Sequence, residues 1–118
     1  MITNYLKQQA IELVGSKLQY LAVGAGSATL TATMTTLTGS EFLRLIITGS
    51  PDFSVPYSVT INADINSVQA SGLILKQFGN FFTSGINTGS AYQINQLNGS
   101  IVCDGTIELS FEQSINVS

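Results

Sequence analysis

The sequence predicts a single all-β domain, a β-sandwich or jelly-roll-like fold with one short N-terminal helix. Three observations carry this. Segments of alternating apolar and polar residues recur along the chain, Gly, Asn, Asp and Ser turn signals separate them at short intervals, and helical spacing occurs once, with no βαβ alternation. A chain of 118 residues is sufficient for one modest core and too short for a second domain, so the domain spans residues 1–118.

The helix is expected over residues 3–14. Behind Ile2, the residues Leu6, Ala10, Leu13 and Val14 recur at spacings of three and four, Thr3 or Asn4 can cap, and Gly15 is placed to terminate. Three turns are marginal alone, so the helix must pack on the sheet or on a neighbouring subunit. Residues 17–23 read as a strand that Gly24-Ala25-Gly26-Ser27 breaks. Residues 28–37 are Thr-rich, with Leu30, Ala32 and Met34 alternating against threonines, which predicts an extended arm or an edge strand.

Residues 42–48 form the next strand, and Gly49-Ser50-Pro51-Asp52 turns the chain. The clearest alternation follows, with Val55, Tyr57, Val59, Ile61, Ala63 and Ile65 on one side. Pro56 cannot donate to a ladder, which places the start of this run on an edge. A strand over residues 72–78 precedes a long loop over residues 79–89, in which Phe81, Phe82 and Ile86 either tuck into the core or form an exposed contact surface. Residues 91–103 and 106–117 are then expected to pair as a hairpin about Asp104-Gly105, whose residues tolerate a tight turn.

Composition bounds the function. Only 9% of residues are charged, against about 25% in an average soluble protein. Such a surface offers little repulsion to self-association and few charges to desolvate at an interface, although a β-sandwich monomer with a Ser/Thr-rich surface has the same composition. The four bases, Lys7, Lys17, Arg44 and Lys76, are scattered, so no stripe exists to neutralise nucleic-acid phosphates. No run approaches the length of a membrane span. The first residues lack the charged start and apolar run of a secretory signal, which predicts a protein made and kept in a cytoplasm or packaged from one.

Chemistry is equally constrained. Without histidine the usual general base is missing, and one cysteine, Cys103, gives neither an intrachain disulfide nor a zinc ligand set. No catalytic residue, metal ligand or cofactor is expected, and a small-molecule ligand is not expected either. Glu108 and Glu112 lie four residues apart on one expected strand, roughly 13 Å by strand rise and too far for paired-carboxylate glycoside cleavage. Gly24-Ala25-Gly26 lacks the third glycine, following helix and lysine of a phosphate loop and reads as a turn. Cys103 reads as a small buried hydrophobe. Arg44 sits inside an apolar strand, where it either pairs with Glu41 as a buried structural ion pair or faces outward on an edge.

The helix, the strand Tyr20-Leu21-Ala22-Val23-Gly24-Ala25-Gly26, the Thr-rich arm and Leu37-Thr38-Gly39-Ser40-Glu41-Phe42-Leu43-Arg44 together resemble a family of small tailed-bacteriophage virion proteins. Members look like a short helix, a "YxAxGxG" strand and an "LGxExxR"-like element. Gly72-Leu73 stands where the family has a central "GL" strand, and residues 104–109 resemble its closing hairpin. The resemblance implies a structural component of the virion, a capsid decoration or cement protein or a tail- or fibre-associated part, commonly a homotrimer that also contacts other virion proteins. A carbohydrate- or receptor-binding module of a fibre is the other reading. In it Tyr57, Tyr92, Phe81 and Phe82 would supply stacking surfaces.

Overall fold

The computed structural model describes residues 1–117 and shows a mainly β fold of six strands in two antiparallel sheets, with one substantial helix at the N-terminus. Helix α1 (Asn4–Lys17) begins where the Thr3 side chain accepts the Leu6 amide. It is followed by β1 (Tyr20–Gly24), β2 (Glu41–Ile46), β3 (Ser58–Ile65), the single-turn α2 (Ser67–Ala70), β4 (Ile74–Phe81), β5 (Gln93–Val102) and β6 (Leu109–Asn116). The four-stranded sheet runs β2-β1-β4-β5, and β3 and β6 form the second sheet.

The main core lies between the sheets. Leu21 and Val23 of β1, Leu75 of β4, and Ala63 and Ile65 of β3 meet Ala70 and Cys103, and the rings of Phe78 and Phe111 lie 5.3 Å apart across the gap. A second cluster, Ile11, Leu18, Ile47, Val59 and Ile61, holds α1 against β3. A third lies on the opposite face of the four-stranded sheet, where Ala22, Leu37 and Phe81 pack with Ala91 and Ile94.

Four expectations are corrected, and of the two readings of residues 28–37 the structure has the arm and not the strand. Helix α1 runs through Lys17 rather than ending at Gly15, and its inward residues are Ile11, Val14, Gly15 and Leu18, while Leu6 and Leu13 face outward. Both sides of the helix carry apolar residues at helical spacing. The inner side is selected by Gly15, where an added Cβ would lie 2.6 Å from the Phe53 ring and 3.0 Å from Val59.

Residues 28–37 form no strand. Ala25 N–H donates to Ser40 O (3.3 Å), so both ends of the segment emerge side by side and it folds back as an irregular arm. The alternation of residues 55–65 becomes a strand only from Ser58, because Tyr57 has φ 59° and turns the chain there. β3 is nonetheless an edge, bonded beyond β6 only by Asp52 and Thr48.

The expected loop over residues 79–89 begins three residues later, because β4 continues to Phe81. Gly79 is a strand residue that permits close approach, since a Cβ there would lie 2.9 Å from Gln93 O. Finally, residues 91–103 and 106–117 are not a hairpin. β5 pairs with β4 and β6 with β3, so the turn at Asp104-Gly105 carries the chain from one sheet to the other. The Asp104 carboxylate accepts Thr106 N–H (3.0 Å) and Thr106 Oγ1 (2.6 Å), so the turn forms as its residues require, and the strands either side diverge.

Candidate assembly surface

Glu41 and Arg44 come together on β2. In a regular strand residues three apart point to opposite faces. The register shift between Val23 and Gly24 places Gly24 opposite Glu41 and Val23 opposite Leu43, leaving Phe42 as the extra residue, and the two charges then share a face. Arg44 Nε donates to Glu41 Oε2 at 2.8 Å and Nη2 to Oε1 at 2.7 Å, a bidentate pair whose side chains are 1% and 3% exposed. Arg44 Nη1 donates to the carbonyls of Thr83 (2.8 Å) and Thr88 (3.2 Å), and its guanidinium lies 3.7 Å from the Phe81 ring centroid. Asn87 N–H donates to Glu41 Oε1 at 3.3 Å. The pair therefore pins the loop after β4 onto the sheet.

The Thr-rich arm is fixed by a second polar clamp. Gln77, fully buried on β4, accepts the Thr38 amide (2.8 Å) and donates to Thr38 Oγ1 and Gln96 Oε1 (3.0 Å each), and Gln96 donates to the carbonyls of Gly26 and Lys76. Together with buried Leu37 and the bond from Ala91 N–H to Thr35 O (2.8 Å), this seats the arm's end on the sheet. A groove of about 250 Å³ remains beneath it, lined by Leu30, Met34, Tyr92 and Ile94 among others.

Phe81 is 1% exposed and belongs to the third cluster, so it is not a surface contact. Its neighbour Phe82 alternates outward and is half exposed beneath the Lys17 ammonium, 4.7 Å from the ring centroid. The aromatic residues that a sugar platform would need are dispersed. Tyr57 is partly buried near Lys7, Tyr92 lines the arm groove, Phe82 sits at the end of α1 and Phe81 is internal. Glu108 precedes β6 and lines a groove with Asp64, whose carboxylate already accepts the hydroxyls of Thr48 and Ser110. Cys103 is buried and free. Among the described residues, no helix is long and apolar enough to cross a membrane.

Periodicity taken as a single face leaves out the outward side of α1. Leu13 is 63% exposed, and Leu6 and Tyr5 are also exposed, on the side opposite Ile11, Val14 and Leu18, while Ile2, just before the helix, is exposed as well. The signal that could have revealed it was the presence of two apolar stripes on one short helix, of which the sandwich can bury only one. Comparison with known families and with curated proteins gives no match to this chain.

Proposed function

We propose that this protein is a structural component of a bacteriophage particle that works by self-association, as a capsid decoration or cement protein or as a tail- or fibre-associated part, assembled as a homotrimer. The observation that carries the self-association is the exposed apolar side of α1, adjoining Phe82, on a chain with few charges to oppose contact. The placement on a phage particle rests on the sequence resemblance.

The mechanism is adhesion between preformed surfaces. The rigid parts of the fold suit it, since the Glu41–Arg44 pair and the Gln77 clamp hold the loop and arm that flank the sandwich without a partner chain. Light scattering over a concentration series, with co-sedimentation on purified particles, tests the reading. Assembly and particle binding are expected, and a monomer at high concentration that does not bind particles would overturn it.

A further inference from the structure

The outward stripe of α1 has a spacing that its burial alone does not explain. Leu6, Gln9, Leu13 and Ser16 follow one another at intervals of three, four and three, and Ile2 precedes the N-cap Thr3 outside the helix. This spacing fits the a and d positions of a heptad frame, with the exposed leucines at a and the polar Gln9 and Ser16 at d. With Leu6 and Leu13 at a and Gln9 and Ser16 at d, the residues Ile11 and Leu18 fall at f, the position farthest from the seam. Both are fully buried against the chain's own sandwich. The helix thus carries two apolar stripes back to back, one used within the chain and one unpartnered.

The flanking charges decide the occupant and its direction. In the same frame Glu12 occupies a g position and Lys17 the e position five residues later. Between parallel helices, g of one lies beside the following e of its neighbour, so Glu12 meets Lys17 of the next copy. Between antiparallel helices the same flanks meet, bringing Glu12 against Glu12 and Lys17 against Lys17. Glu12 is exposed and accepts a hydrogen bond from Gln9 Nε2 (3.3 Å), and Lys17 lies over Phe82 at the margin of the stripe, so pairing with a neighbour exchanges these contacts within the chain for contacts between copies. The other g and e residues, Tyr5 and Ala10, set a large side chain beside a small one.

We infer that the outer side of α1 is the contact through which copies of this chain associate, with α1 helices side by side and parallel about the symmetry axis, Leu6 and Leu13 in the seam and Glu12 of each copy paired with Lys17 of the next. The occupant is a second copy of this chain, and the arrangement is that of a cyclic oligomer. The seam is short, about 15 Å from Leu6 to Ser16 at helical rise. Its helix is already formed on the sandwich, so association does not bear the cost of helix nucleation. The inference deepens the self-association proposed above and rests on it, but not on the phage placement.

Charge exchange on the full chain tests it. Glu12→Lys and Lys17→Glu are each expected to weaken association at low salt by about two- to fivefold per reversed pair. The double variant should restore it, and an equimolar mixture of the two single variants should associate better than either alone. Leu6→Asn with Leu13→Asn should raise the dissociation constant by about 100-fold or more. Circular dichroism and melting of each monomer report that the fold is kept, as expected for side chains outside the core.

A wild-type oligomer indifferent to all four changes would overturn the seam and leave the assembly reading standing. Weakening by the single changes without rescue by the double would overturn the parallel pairing. A seam-dependent oligomer that ignores particles would support the seam and overturn the particle role.

Discussion

Arg44 is the residue on which most local structure depends, because its guanidinium joins β2, the Phe81 ring and the Thr83–Thr88 loop at once. Replacing it with Met leaves the Glu41 carboxylate buried without its partner. Arg44→Met is expected to lower the unfolding free energy by about 3–5 kcal/mol, and adding Glu41→Gln should recover much of that loss, because the uncompensated charge goes with it. Denaturant titration of the two variants checks this, and a loss below about 1 kcal/mol for the single change would refute it. Asn80 is the opposite case. It is fully buried on β4, paired in register with Leu21, and neither end of its amide has a protein partner. A buried amide without a partner costs about 1–3 kcal/mol, whereas an apolar group of similar shape does not. Asn80→Leu is therefore expected to raise the melting temperature, and a fall would show that the amide is satisfied in solution.

Among the elements, the arm and the inter-sheet turn are held by single polar devices that can be removed separately. Gln77→Leu takes away the acceptor of Thr38 N–H and the link to Gln96. Proteolysis within residues 27–36 is expected to accelerate, with a stability loss of about 1–3 kcal/mol, and unchanged cleavage would show that Leu37 alone seats the arm. At the turn, the hydrogen bonds from the Thr106 hydroxyl and then its amide hold the Asp104 carboxyl below its ordinary value. A lowered folded-state pKa gives a contribution that is present above the unfolded value, about 3.9, and is lost as the pH falls through the folded one. The difference in melting temperature between wild type and Asp104→Ala should therefore be constant near neutrality and shrink below about pH 4. A constant difference down to pH 2 would remove the carboxylate from the account. These elements also show what was legible in the sequence. Alternation and turn chemistry located β3, β6 and the Asp104-Gly105 turn, because period and local hydrogen bonding are properties of short segments. Pairing is not such a property, so two strands beside a good turn imply a hairpin although each has its partner elsewhere. The same limit hid the shared face of Glu41 and Arg44, which depends on a register shift against β1. It also hid the division of α1 into two stripes, which depends on Phe53 and Val59 taking one of them.

For the molecule as a whole, the sheets are unequal, with four strands facing two. Leu109, Phe111 and Ile115 point toward the core from β6 yet remain only partly buried, and Leu97 and Ile101 of β5 do likewise. Part of the apolar surface that a complete sandwich would enclose therefore stays in contact with water, and α1 adds its outer stripe to it. Such a fold gains stability when copies associate, because binding only to the folded state draws the unfolding equilibrium toward it by mass action. Cys103 provides the measurement. It is 2% exposed, the chain's only thiol, and packed in the main core with Val23, Ala63 and Leu75. A thiol reagent reaches it only when that core opens, so its labelling rate in native buffer follows the population of the open chain when closing outpaces reaction. The rate is expected to fall as protein concentration rises through the association range. In the Leu6→Asn, Leu13→Asn variant it should stay flat over the same range, at the value of the dissociated wild type. A wild-type rate independent of concentration while light scattering shows assembly would mean that Cys103 is reached through a local opening that leaves the α1 contact in place, and not through opening of the whole sandwich.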